Sequence, residues 1–145
     1  MEIYSIGFTQ KSASQFFETL KTHRIQRLLD VRLNNTSQLA GFAKQADLIY
    51  FLREICNCEY EHQPLLAPEQ SMLDAYKKNK GIWEEYEISF LELMRSRKIA
   101  QSISIESFNR KTVLLCSESK AEKCHRRLVL EYLQASWSHV SIHHL

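Results

Sequence analysis

Thiol, imidazole, carboxylate and guanidinium groups are concentrated in one short part of this 145-residue chain. These are the groups that nucleophilic and acid–base chemistry uses. They belong to Cys116, Ser117, Glu118, Cys124, His125 and Arg126. The first three follow a short run of branched apolar residues that predicts a buried strand, and the last three open an amphipathic helical pattern. A strand end, a polar loop and a helix N-terminus often bind an anion or hold catalytic groups in α/β proteins, so we expect a functional site here.

Either cysteine of this segment could be the nucleophile. Cys124 is expected in the first turn of a helix, beside a histidine and two arginines, where positive charge and the helix dipole favour the thiolate. It could equally be a small residue packed at the helix start. Cys116, at a strand end, is more often a packing residue. Ser117 is a weaker candidate, because no Gly-x-Ser-x-Gly motif surrounds it.

A second strand end adds a carboxylate and a guanidinium. Asp30 and Arg32 lie two residues apart and share one face of the strand predicted over residues 25–31. One interpretation is a structural ion pair between them. The other is that Arg32 and Arg126 clamp an anion, since guanidinium groups match phosphate or carboxylate bidentately. Asp30 and Glu118 are then the candidate general acid and base.

The cysteine and histidine spacing does not indicate a metal site. Zinc sites usually contain close Cys-x-x-Cys pairs, whereas Cys116 and Cys124 are separated by a longer loop. The chain has only three glycines and no glycine-rich phosphate loop. We therefore expect neither a metal nor another cofactor.

Strand and helix patterns alternate along the whole chain. Strands are predicted at residues 2–6, 25–31, 59–62, 113–115 and 139–143, with helical patterns between them. The first helix is expected to begin at a capping box formed by Ser12 and Gln15. Helices are also expected over residues 46–56, from Pro68 to residue 76, over residues 82–97 with Trp83, Tyr86 and Phe90 on one packing face, and over residues 99–108. The basic run at residues 77–80 is expected near a helix end. Residues 33–44 are expected to form an exposed loop. The alternation predicts one three-layer α/β/α domain over residues 1–145, with a mainly parallel sheet of about five strands. If the strands ending near Gly7 and Thr9, near Asp30 and near Cys116 are neighbours, their polar ends share one edge of the sheet.

Composition is that of an ordinary globular protein, with 44% hydrophobic and 25% charged residues. The net charge of +2 permits a small anionic ligand or nucleic acid as a partner. Apolar runs are too short to span a membrane. The first residues lack the pattern of an export signal, so we expect a cytoplasmic protein whose four cysteines are free thiols. The sequence does not fix an oligomeric state.

Several motifs together resemble the family called domain of unknown function 488. They are Tyr4-Ser5-Ile6-Gly7, Leu29-Asp30-Val31-Arg32, Gly41-Phe42, Tyr60-x-His62, Leu66-Ala67-Pro68, Leu114-Leu115-Cys116-Ser117-Glu118 and Cys124-His125-Arg126. The resemblance spans nearly the whole chain and implies a three-layer α/β domain with a polar cleft built from these motifs. It thereby adds Phe42 and Tyr60 to the predicted substrate contacts. The chain departs from the family pattern at Ala40, where proline is usual before Gly-Phe.

The leading prediction is an enzyme of unassigned reaction that acts on an anionic substrate, nucleotide- or phosphate-bearing, in a cleft at the strand carboxyl ends. An alternative is a non-catalytic module that binds nucleic acid or a protein with the same basic cleft. A third interpretation treats the polar residues as a structural network that ties the strand ends together.

Overall fold

The computed structural model describes residues 1–36 and 40–145, and a five-stranded sheet lies at its centre. The strands are β1 (Glu2–Gly7), β2 (Arg27–Asp30), β3 (Glu59–His62), β4 (Thr112–Cys116) and β5 (Ser141–His144). Their order across the sheet is β3-β2-β4-β1-β5, and every neighbouring pair is parallel. This arrangement confirms the predicted three-layer α/β/α fold with a parallel sheet.

Helices connect the strands and cover both faces of the sheet. In the described residues they are α1 (Ala13–Thr22), α2 (Gln45–Phe51), α3 (Gln70–Leu73), α4 (Trp83–Ser96), α5 (Ile99–Ser102) and α6 (His125–Ser136). The predicted capping box starts α1, where the Ser12 hydroxyl accepts from the Gln15 N–H and the Gln15 side chain accepts from the Ser12 N–H. None of the helices in this part of the chain is long and apolar enough to cross a bilayer.

The central strand β4 shows how the sheet separates two apolar cores. All five of its residues are buried. Val113 and Leu115 belong to the core on the side of α1 and α2, whereas Leu114 and Cys116 belong to the core formed with α4, α5 and α6. Because side chains alternate along a strand, one unbroken apolar run fills both cores.

Two predicted helices continue in a wider form than a regular α-helix. A π-helical segment, Leu52–Cys56, follows α2, and another, Asp74–Lys78, follows α3. The helix expected over residues 99–108 is instead the short α5 followed by a 3-10 segment, Ile105–Asn109. The sequence predicted a helix in each of these regions, but sequence patterns do not distinguish the hydrogen-bond patterns of the three helix types.

The expected exposed loop at residues 33–44 is partly buried. Asn35 is only 6% exposed, and Gly41–Ala43 forms a 3-10 turn in which Ala43 is fully buried. Both residues are held by the polar groups at the end of β2, as described below. Residues 37–39 of this predicted loop lie outside the described residues.

The carboxyl ends of β2, β4 and β1 lie side by side, which is the arrangement that a shared site needs. Asp30 of β2 is in register with Leu115 of β4, and Gly7 of β1 is in register with Cys116. The condition for one common edge is therefore met. Functional groups of parallel α/β proteins collect at this edge.

Candidate functional site

A cavity of about 210 Å³ opens at this carboxyl edge, between the end of β4, the start of α6 and the segment before α4. Its lining includes Cys116, Ser117 and Glu118 after β4, and Cys124 and His125 at the start of α6. The two segments that the sequence analysis selected therefore meet around one space.

The floor of the cavity is a cluster of two thiols and one imidazole, which we call the Cys–Cys–His cluster: Cys116, Cys124 and His125. Their ligand atoms lie within 4.8 Å of one another, and all three residues are buried. Cys124 is the N-cap of α6 rather than a residue of its first turn. Its backbone is extended there, which turns the end of the loop toward Cys116.

The imidazole of His125 has a fixed orientation. Its Nε2 lies 2.7 Å from the Val31 carbonyl oxygen, to which it can only donate. Burial lowers the pKa of His125, so the ring is neutral and its Nδ1 carries the lone pair. That nitrogen lies 3.5 Å from Cys116 Sγ. The carbonyl at the end of β2 thus directs a lone pair of His125 toward the thiols.

The pKa values of the two thiols are shifted in opposite directions. A hydrogen bond from the Cys124 thiol lowers the pKa of Cys116 despite burial, with help from the Ser117 backbone and the Arg126 charge. The pKa of Cys124 is raised, because its proton is held by Cys116 and the site is buried. The sequence analysis expected the thiolate at Cys124. Of the two thiols, Cys116 has the lowered pKa, and the backbone at the end of β4 contributes to that shift.

Arg126 supports the loop above the cluster. Its side chain is fully buried and donates to Ser5 Oγ at 3.2 Å, the Glu118 carbonyl at 2.6 Å and the Ser119 carbonyl at 3.4 Å. Thr9 also holds this loop, since its N–H and its hydroxyl both donate to the Ser117 carbonyl. These contacts fix the position of the loop after β4.

Gly7 allows the loop to approach β1. A Cβ at this position would lie 1.7 Å from the Glu118 carbonyl oxygen, much closer than any nonbonded contact. Any side chain would therefore push away the carbonyl that Arg126 holds. The role of Gly7 in the structure is steric.

Asp30 and Arg32 form the ion pair that was one of the two interpretations of their spacing. Arg32 Nε and a terminal nitrogen each donate to Asp30 at 2.8 Å, and the third guanidinium nitrogen donates to the Ala43 carbonyl at 2.8 Å. The Tyr60 hydroxyl donates to Asp30 at 2.6 Å, and the Asn35 amide donates to the Tyr60 oxygen at 3.1 Å.

This hydrogen-bonded network is shielded from water. Asp30 is fully buried, and Arg32 is 2% exposed. Burial raises the pKa of Asp30, but hydrogen bonds and charge from Arg32, with Tyr60, outweigh it and lower the pKa overall. The pKa of Tyr60 is raised by burial and by the Asp30 charge. Asp30 is therefore a carboxylate inside a closed network.

Charged side chains surround the mouth of the cavity. Lys77 Nζ and Glu118 Oε1 form an ion pair at 2.6 Å, with each side chain about half exposed. Lys123, exposed on the loop before α6, also contributes to the lining. No ion pair joins Lys123 to another of the described residues. The exposed cations at the mouth of the cavity are thus lysines, while the two arginines predicted for the site, Arg32 and Arg126, donate to oxygens of the protein.

An aromatic wall closes one side of the cavity: Tyr76, Trp83 and Tyr86. The Trp83 and Tyr86 rings stack with centroids 5.2 Å apart, and Tyr76 contacts both. Phe90 continues the row from Tyr86 to His125. The predicted role of Trp83 and Tyr86 in helix packing agrees with their burial, but both residues also line the cavity.

The predicted site residues fall into two groups. Six of them line the cavity: Arg32, Cys116, Ser117, Glu118, Cys124 and His125. In the described part of the chain the others lie behind or beside it: Gly7, Thr9, Asp30, Phe42, Tyr60 and Arg126. Phe42 packs on Phe16 and Phe17 in the opposite core. The sequence analysis missed Tyr76, Lys77 and Lys123 as cavity residues, although the basic run at 77–80 was visible.

The fold and the site define a three-layer α/β protein that has a cavity at the carboxyl edge of its sheet, lined at its base by two thiols and an imidazole. Residues 12–133 match the family described as "Domain of unknown function DUF488", so the chain belongs to this family. A search of curated proteins and a search of solved structures each found no match.

Proposed function

We propose that this protein is an enzyme that acts on a small anionic substrate with a planar, aromatic part, such as a nucleotide. The observation that carries the proposal is the composition of one cavity, which joins a buried Cys–Cys–His floor, an aromatic wall and lysines at its mouth. Apolar pockets with a few convergent polar groups are where small-molecule sites are found.

Each side of the cavity supports one part of this substrate. Trp83 and Tyr86 offer apolar ring surface to a base or a similar flat group. Lys123 and Lys77 supply positive charge for a phosphate or carboxylate. The reacting group would lie over Cys116, where the pocket reaches the strand end. A cavity of about 210 Å³ suits one small ligand better than a nucleic-acid strand, which needs an extended groove.

Of the carboxylates predicted for acid–base chemistry, Glu118 is the better placed. It lines the cavity and pairs with Lys77, so it can contact a ligand, whereas Asp30 is enclosed by Arg32 and Tyr60. The proposal includes a reducing, cytoplasmic setting, because the floor requires thiols rather than a disulfide.

Binding is tested by isothermal titration of the full chain with nucleoside monophosphates, the matching nucleosides and inorganic phosphate. We expect monophosphates to bind more tightly than nucleosides or phosphate alone. Lys123→Ala should weaken monophosphate binding about tenfold, because a hydrogen bond to a charged group contributes about 1.5 kcal/mol. Lys120→Ala, which changes a lysine of the same loop outside this cavity, is the matched control.

Conversion is tested by incubating each bound ligand with wild-type protein and with Cys116→Ala, followed by mass spectrometry of the products. We expect product from the wild-type protein alone. The proposal would be overturned if none of these ligands binds, or if Lys123→Ala and wild type bind monophosphates with equal affinity. Salt-dependent binding of single-stranded RNA or DNA without monophosphate binding would overturn it in favour of the binding-module alternative.

A further inference from the structure

The geometry of the Cys–Cys–His cluster points to a function that goes beyond the substrate site. We propose that Cys116, Cys124 and His125 bind one thiophilic divalent cation, Zn²⁺ by the chemistry of the ligands. Two thiolates and one neutral imidazole form a donor set of known catalytic zinc sites, in which three protein ligands leave one position for water or substrate. The spacing along the sequence did not suggest this site, because the loop of residues 117–123 separates the two cysteines.

The distance between Cys116 and His125 matches tetrahedral zinc coordination. Zinc–sulfur bonds of about 2.3 Å and zinc–nitrogen bonds of about 2.0 Å place a sulfur and a nitrogen ligand roughly 3.6 Å apart. Cys116 Sγ and His125 Nδ1 are 3.5 Å apart. All three ligand atoms lie within 4.8 Å of one another, so small side-chain rotations bring them around one ion.

The surroundings of His125 are those of a metal ligand. A ligating histidine almost always donates its other ring N–H to a carbonyl or carboxylate, which fixes the tautomer and the ring orientation. Here Nε2 lies 2.7 Å from the Val31 carbonyl oxygen at the end of β2. Nδ1 is thereby left as the electron-pair donor that faces Cys116. The hydrogen bond that would orient the ligating ring is therefore present.

The cluster also has an open side. Cys116, Cys124 and His125 all line the cavity, so an ion held by them would face the space proposed for substrate. There it could polarise a substrate oxygen or a bound water. Charge balances as well, because Zn²⁺ replaces two thiol protons that pass to solvent and leaves a neutral cluster.

The first experiment titrates reduced, chelator-treated full-length protein with Co²⁺, which reports its ligands by absorption. We expect one ion per chain, a thiolate-to-cobalt charge-transfer band and the intense visible absorption of tetrahedral Co²⁺, all displaced by Zn²⁺. Cys116→Ala and Cys124→Ala should lose affinity by more than the roughly 100-fold that removing a hydrogen-bond partner of a metal ligand can cost. Cys58→Ala is the matched control, since Cys58 is buried in the opposite core.

The second experiment needs no variant and stays informative if an alanine substitution prevents folding. Iodoacetamide labelling of wild-type protein is followed by mass spectrometry with and without Zn²⁺. We expect Zn²⁺ to slow labelling of Cys116 and Cys124 at least tenfold and to leave the labelling of Cys56 unchanged. Equal labelling rates at Cys116 with and without Zn²⁺, or a thiolate–cobalt band that survives in both alanine variants, would overturn the metal site.

The two proposals fail separately. The cobalt and labelling experiments contain no substrate, and the nucleotide titrations can be made in the presence of a chelator. Zinc binding without nucleotide binding would leave the metal site intact and overturn the substrate proposal. Nucleotide binding without thiolate–metal coordination would overturn the metal site alone.

Discussion

Replacing Arg126 with methionine is expected to remove a large part of the stability of this protein. Methionine keeps most of the apolar volume of the side chain and removes the guanidinium. That group is fully buried and donates to the Glu118 carbonyl at 2.6 Å, with longer contacts to Ser5 and Ser119. The change leaves these oxygens without their donor, and the Ser5 hydroxyl among them is fully buried.

The size of the effect follows from the three contacts. The short hydrogen bond from a charged donor contributes about 2 kcal/mol, and the two longer ones contribute about 0.5–1 kcal/mol each. We therefore expect Arg126→Met to reduce the free energy of unfolding by about 3–4 kcal/mol. A domain of this length has about 5–15 kcal/mol in total, and such a loss lowers the melting temperature by roughly 10 °C.

Urea unfolding followed by circular dichroism measures this loss. Arg127→Met is the control, because Arg127 is the next residue of α6 but is partly exposed and pairs with Glu87 at 3.5 Å and Glu131 at 3.8 Å. We expect that control to change the free energy by less than about 1 kcal/mol. An Arg126→Met protein as stable as the wild type would refute the supporting role of Arg126 and return it to the predicted anion clamp.

Three further outcomes are expected. Gly7→Ala should destabilise the protein by about 1–3 kcal/mol in thermal unfolding, because a Cβ would overlap the Glu118 carbonyl; a neutral substitution would contradict this contact. Asp30→Asn should flatten the acid limb of stability against pH. Arg32 lowers the pKa of Asp30 in the folded state, so the Asp30 carboxylate contributes its full stability above the unfolded pKa of about 3.9. This contribution disappears as pH falls through the folded pKa. Equal slopes of stability against pH below pH ~4 in both proteins would contradict this prediction. Lys77→Gln breaks a half-exposed ion pair and should change the free energy of unfolding by less than about 1 kcal/mol. The same substitution should weaken monophosphate binding. Unchanged binding in titration calorimetry would show that this lysine is not part of the site.

The sequence predicted the architecture because the fold is encoded in local patterns. The capping box at Ser12 and Gln15 starts α1 as expected, and the apolar run before Cys116 is the central buried strand. The alternation of strands and helices then restricts the sheet to a mainly parallel one. The fold could therefore be predicted before any contact was known.

The site could be predicted only in part. The chain order places Cys116 and Cys124 on either side of one loop, so their proximity follows from a strand–loop–helix unit. Which groups donate to which oxygens depends on distances that the sequence does not contain. Arg126 donates to the loop after β4, and Arg32 donates to Asp30, so both guanidinium groups are engaged by oxygens of the protein.

The aromatic wall was the least predictable part of the site. The spacing of Trp83, Tyr86 and Phe90 predicted one buried helix face, and that face is indeed buried. Its position beside the cluster depends on how α4 packs against α6, a contact between elements distant along the chain. Periodicity identifies a buried face but not the surface that covers it.

The aromatic wall also gives the protein an internal optical reporter. The chain has two tryptophans; Trp83 lines the cavity, whereas Trp137 lies at the end of α6 against Phe108 and the Ala100 carbonyl. A Trp137→Phe protein would therefore emit from the cavity wall alone. Its fluorescence would respond to any molecule in the cavity that contacts Trp83 or to any ion that quenches it, so occupancy of the cavity can be followed in real time without a label or a known reaction.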